Sequence, residues 1–236
     1  MLVELVTVET KDAVALDGAW YAPSGPSPSR PPVLIIHGLG WNFYLGPSRW
    51  LPPLLAAAGH PCLALNMRDH DDKEVRDFDR SADDIAAGIA FLEQHAARPV
   101  AGDDVRGIAL IAHGYGCNKL LSYARLSGDN RPFCRVLTTL GAVKSYNPAL
   151  WDTVLAAASV ITGNMLIVQG AEDRLIEASA RAEELHQAAV VANVETVLLE
   201  GGDHYFNARH EALANCILEW FDRTDPAFGS HTAAGD

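Results

Sequence analysis

Apolar runs of strand length alternate along the chain with longer segments of helical period, which predicts a mostly parallel sheet covered by helices on both faces. Core strands are expected at Val33–His37, Cys62–Asn66, Gly107–Ala112, Arg135–Leu140, Met165–Gln169 and Val194–Leu199. Helices are expected between them at Pro47–Ala58, Ala82–Ala97, Tyr115–Leu126, Glu177–Ala189 and Ala208–Arg223. Two alternating segments at the start, Leu2–Val8 and Val14–Tyr21, read as an antiparallel pair and bring the sheet to about eight strands. Ser81, followed three residues on by Asp84, reads as the cap of the helix that starts at Ala82. The stretch Pro23–Pro32 has too many prolines for regular structure and reads as a surface connection.

Composition narrows this to one α/β domain over residues 1–225. The chain has 236 residues, 49% apolar and 20% charged, enough to bury roughly 70% of its unfolded surface, which excludes disorder, collagen and coiled coil. Residues 226–236 carry little apolar surface to dock and are expected to fray. Lys and Arg total 18 against 30 Asp and Glu, and the resulting charge of −12 repels phosphate backbones and anionic headgroups, so neither a nucleic-acid nor a membrane partner is expected. Cys62, Cys117, Cys134 and Cys216 lie far apart without metal-ligand spacing and read as small hydrophobes of a reducing, cytoplasmic protein. The acidic run Asn66–Glu74 does not match a calcium loop and reads as a solvated loop braced by Arg68. No metal or cofactor is expected.

Candidate chemistry sits where strands turn abruptly into short polar, glycine-rich stretches, the ends at which open α/β sheets place ligands. In Val33–Gly40 (VLIIHGLG), the glycines after a buried strand let backbone N–H groups approach an anionic oxygen, with Leu39 the expected donor. In Ile108–Leu121 (IALIAHGYGCNKLL), a strand meets a helix through a tight turn, the setting of a nucleophile elbow, yet the nucleophile's place is taken by Gly114. Asp173 follows the strand in Met165–Ile176, and His204 follows the last strand in Leu198–Phe206. The chain order is therefore nucleophile position, acid, histidine.

With these motifs in order, the chain resembles the α/β-hydrolase superfamily from about Leu2 to Arg223, and HGLGWNFY, LALNMRDHD and HGYGCNKLL resemble a serine hydrolase-like subgroup. The resemblance implies that Asp173 matches the triad acid, His204 the base, and the N–H groups of Leu39 and Tyr115 the oxyanion hole. It departs from the family at Gly114, where the family motif has serine. The chain also has room for only a minimal lid at about 144–163, with one short helix, Thr153–Val160, and a pocket edged by Trp41, Phe43, Tyr44, Tyr146 and Trp151.

A glycine at an elbow removes about 1–3 kcal/mol of backbone strain, as expected of a lineage that no longer uses the serine. Two functional readings follow. One is a serine-independent enzyme acting on a small carbonyl compound, an ester, lactone or dicarbonyl, in which Asp173 orients His204 and His204 moves a proton. The other is a non-catalytic pseudo-hydrolase that binds a small ligand or a protein. A serine deliberately replaced to trap a substrate is a third origin for the glycine, and Ala112, where relatives often carry glycine, favours natural divergence. Cys117, one helical turn past Gly114, is expected in helix packing, Ser122 on a helix face, and Ser48 and Ser145 in loops. His37 and His113 are expected to hold loops together through hydrogen bonds.

Overall fold

The computed structural model describes residues 2–23, 30–71, 78–95, 107–128, 132–140, 148–174 and 178–224. Its strands are β1 Leu2–Glu9, β2 Ala15–Ala22, β3 Val33–Ile36, β4 Cys62–Leu65, β5 Ile108–Gly114, β6 Pro132–Leu140, β7 Gly163–Gly170 and β8 Ala192–Leu199. They form one sheet in the order β1-β2-β4-β3-β5-β6-β7-β8. β1 and β2 pair antiparallel, as does β2 with β4, and from β4 onward every pairing is parallel. The expected α/β architecture is therefore the one observed.

The helices are α1 Pro47–Ala57, α2 Ala82–His95, α3 Tyr115–Ser127, α4 Pro148–Ala158, α5 Ala178–Ala188 and α6 His210–Thr224, with a 3₁₀ turn at Asp79–Ser81. Successive strand residues point to opposite faces, so one face of the sheet carries Leu34, Ile36, Leu110 and Ile167 and packs with Ile85, Leu120, Val154 and Leu185 of α2–α5. The other carries Val33, Ile35, Ala109 and Leu166 and packs with Leu51 of α1 and Ile217 of α6. A strand buried on both faces has no polar alternation, and β3, β4 and β5 are buried at every residue.

Three expectations need correction. The Ser81–Asp84 cap gives way because Ser81 ends the 3₁₀ turn, its N–H bonded to Phe78 O, and the buried Asp84 carboxylate instead binds the backbone N–H and Nε of Arg68 at 2.9 and 2.7 Å. The last helix begins at His210 rather than Ala208, because Phe206 and Ala208 have φ of 54° and 59°, a left-handed geometry no helix continues. The lid helix α4 begins at Pro148, five residues before the expected Thr153, since proline presets the first helical position. Arg68 does brace its loop, with a forked pair of bonds to Asp12 at 2.8 and 3.0 Å. The bridge of prolines at 24–29, Asp72–Glu74 of the acidic run, residues 144–147 of the lid and the terminal 226–236 lie outside the described residues.

Candidate active site

At the carboxyl end of β5 the chain turns into α3 through Gly114, whose φ of 57° and ψ of −126° side-chain-bearing residues adopt only under strain. A Cβ built on Gly114 would meet His204 Nε2 at 3.9 Å and, among the described residues outside its own chain neighbours, no other group within 4 Å. The glycine therefore keeps the backbone geometry of an elbow, and the direction a side chain would take leads to an imidazole.

That imidazole is held from behind. His204 Nδ1 lies 2.8 Å from Asp173 Oδ2, and the Asp173 side chain is fully buried while that of His204 is 15% exposed. Gln169, near the end of β7, donates its Nε2 to the same carboxylate oxygen at 3.1 Å. With Nδ1–H directed at the carboxylate, Nε2 presents a lone pair toward Gly114. The two loops meet so closely that a Cβ on Gly170 would lie 2.4 Å from Gly202 O and 2.7 Å from Asp203 O, so only glycine permits the approach that brings acid and base together. Asp203 shapes the histidine loop, its Oδ1 accepting the N–H groups of Tyr205 and Asn207 at 3.0 and 2.8 Å.

The loop after β3 packs against the elbow. A Cβ on Gly38 would sit 3.6 Å from Tyr115 N, and one on Gly116 would strike Ile36 O at 2.5 Å and His37 O at 2.7 Å, so α3 enters directly against β3. His37 locks this loop: its Nε2 accepts the Met67 N–H at 2.8 Å, which leaves Nδ1–H to donate to Gly38 O at 2.6 Å. Burial, and the nearby Lys119 charge, hold the His37 pKa well below the ordinary histidine range, so the ring stays neutral. Lys119, fully buried on α3, donates to His37 O at 3.3 Å and to Asp69 at 2.6 Å. The Leu39 N–H donates to no group among the described residues.

His113 stands beside this centre. Thr138 donates its hydroxyl to Ala112 O at 3.0 Å, so its oxygen accepts from His113 Nδ1 at 3.3 Å, and the remaining Nε2 is buried without a hydrogen-bond partner among the described residues. Burial, with the neighbouring His204, lowers its pKa to about 3. Its ring is edge-on to His204 at 5.4 Å. Tyr205, which the sequence reading missed although it follows His204 directly, is perpendicular to the His204 ring at 4.8 Å and stacks on Trp41 at 4.8 Å.

Of the expected pocket-edge aromatics, Trp41 thus reaches the site through Tyr205. Phe43 packs toward α1 and edge-on to Tyr44, which is 55% exposed. Trp151 does not edge the site as expected: it is 2% exposed and its Nε1 donates to Glu184 at 2.7 Å, because residues 151, 154 and 158 form the inward stripe of α4. Tyr146 and Ser145 lie outside the described residues. Cys117 is buried, its thiol turned to the carbonyls of Ala112 and Thr138 and its pKa raised by burial, so it offers no thiolate. Ser122 is bonded to Asp79, and Ser48, expected in a loop, is instead buried in the first turn of α1. Among the described residues no group of His, Cys, Asp and Glu is arranged to hold a metal ion, and no helix is long and apolar enough to cross a membrane.

Sheet order, elbow and the strand-end Asp and His define the α/β-hydrolase fold. Solved structures agree. An esterase of Pyrococcus furiosus superposes with a TM-score of 0.74 at 18% identity, covering 94% of this chain and 93% of that one. Est1E from Butyrivibrio proteoclasticus gives 0.73 at 13% identity over 93% and 98% of the two chains. A dienelactone hydrolase from Anabaena variabilis gives 0.73 at 18% over 94% and 98%. No profile of a known protein family matches the sequence, and no curated protein sequence matches it.

Proposed function

We propose that the protein hydrolyses a small ester or lactone by direct attack of water, without an acyl-enzyme. The observation that carries this reading is the open path from Gly114 to His204 Nε2, at 3.9 Å from a built Cβ, together with the 2.8 Å bond that ties the other face of the ring to Asp173. In a serine enzyme the hydroxyl fills that path. In this reading a water hydrogen-bonded to Nε2 takes the hydroxyl's place.

In the proposed reaction the water oxygen bonds to the carbonyl carbon as its proton passes to His204 Nε2, and the buried Asp173 carboxylate stabilises the imidazolium. The carbonyl electron pair moves to oxygen, which the N–H groups of Leu39 and Tyr115 receive. Collapse breaks the carbon–oxygen bond to the leaving alcohol, which takes the proton back from His204. The names of two structural neighbours, an esterase and a dienelactone hydrolase, support the substrate class. The partner of this reading is a small molecule, and no cofactor or metal enters it.

The test is a screen of esters, lactones and β-dicarbonyls with the parent and the His204→Ala variant. Turnover that disappears in the variant, with no fluorophosphonate labelling of the parent, is the expected result. Labelling of any serine refutes the mechanism, turnover of a β-dicarbonyl alone redirects it to proton-transfer chemistry, and equal inertness of both proteins leaves the pseudo-hydrolase reading.

A further inference from the structure

On the α2–α5 side of the sheet, between the turn at Asp79–Ser81, α3 and α4, lies a cavity of about 130 Å³. That is close to the volume of engineered protein cavities that take up a benzene ring. Phe78, Leu121 and Val154 supply apolar wall, and Arg125 and Asp79 form a polar edge. The charges of that edge are already matched: Arg125 donates twice from Nη2 to the Asp79 carboxylate, at 2.8 and 2.9 Å, and the Ser122 hydroxyl donates to the same group. A charged guest would gain no partner there.

Asn118 is different. It lines the cavity at 4% exposure, and its Nδ2 is buried without a hydrogen-bond partner among the described residues. A buried donor left unbonded costs free energy that an acceptor in the right place restores. From this pairing of apolar volume with one unmet donor, we infer that the cavity binds a small neutral molecule with an apolar ring or branched chain and a single carbonyl oxygen, the oxygen accepting from Asn118 Nδ2. The residues that line it include none of Leu39, Gly114, Tyr115, Asp173 and His204, although the two places are neighbours. Asn118 stands about one helical turn along α3 from Gly114, and the ring of Phe78 lies against that of Tyr115 at 6.0 Å. The inference does not depend on the hydrolase reading.

The probe is cyclohexanone, titrated into the full ¹⁵N-labelled chain while the side-chain amide resonances of Asn118 are followed. A saturable shift of that amide pair is expected. Asn118→Leu, which keeps the volume and removes the donor, weakens cyclohexanone binding about five- to tenfold, as expected for one neutral hydrogen bond, and Val154→Phe, which fills the cavity, abolishes it. His204→Ala leaves the affinity unchanged. The proposal is overturned if the Asn118 amide stays fixed while cyclohexanone shifts other resonances or shifts none, if Asn118→Leu binds as well as the parent, or if binding is lost with His204→Ala. Should a variant fail to fold, the titration of the parent alone decides between the first two results.

Discussion

Replacing Gly114 with serine tests the site's geometry most directly. The added Cβ starts 3.9 Å from His204 Nε2, and the hydroxyl one bond further falls within hydrogen-bond reach of the base in one staggered rotamer. The backbone is already at φ 57° and ψ −126°, so the loop does not need to rebuild. The cost is local strain, about 1–3 kcal/mol for a side chain in this region, and at about 2–4 °C per kcal/mol for a domain of this size the melting temperature falls by about 2–12 °C. The gain is a nucleophile. In a serine hydrolase, loss of the serine removes about six orders of magnitude in kcat and leaves about 10³–10⁴ over water, so an incomplete recovery still raises hydrolysis of p-nitrophenyl acetate by at least about a hundredfold. The variant becomes reactive toward fluorophosphonate and shows a burst of p-nitrophenol, and both effects vanish when His204→Ala is added. A Gly114→Ser protein that folds with the expected loss of melting temperature, yet neither labels nor gains activity, refutes the alignment of residue 114 with His204.

Three further outcomes follow from the same geometry. If the parent hydrolyses an ester, Asp173→Asn lowers kcat by about 10⁴ with little change in KM, because the imidazole loses the acceptor that fixes its tautomer; steady-state kinetics at constant pH check this. Gly116→Ala places a methyl 2.5 Å from Ile36 O and 2.7 Å from His37 O, both backbone atoms, and destabilises by about 1–3 kcal/mol in urea titration while also displacing the Gly38–Leu39 loop. For acid stability, burial sets the pKa of His60 to about 4 and of His113 to about 3, both below the 6.5 of an exposed histidine. The unfolded chain then binds more protons than the folded one below pH 6.5, so stability falls as pH drops from 6.5 to about 4 for His60 and about 3 for His113, by about 1.4 kcal/mol per pH unit for each ring. His60→Gln reduces the slope of unfolding free energy against pH between 6 and 4.5 by one proton, and an unchanged slope refutes the assignment.

Much of this protein was legible along the chain. The fully apolar runs at Val33–Ile36, Cys62–Leu65 and Ile108–Ala112 announced parallel strands covered on both faces, because a strand with helices on both sides has no solvent-facing row of residues. The abrupt change at the ends of β5, β7 and β8 to Gly, His and Asp marked Gly114, Asp173 and His204, since a sheet of this kind presents chemistry where its strands stop. What the chain did not display was decided by contacts between segments far apart. Lys119 ties His37 to Asp69, and Asp84 turns from its own helix end to Arg68. Each is a polar residue whose partner lies elsewhere in the sequence, and each looks locally like a helix face or a cap. Trp151 is the opposite case, a loop-like aromatic that the inward stripe of α4 takes into the core. Local patterns record which residues must leave water, whereas the partner that a buried polar group finds is set only when the sheet brings distant strand ends together.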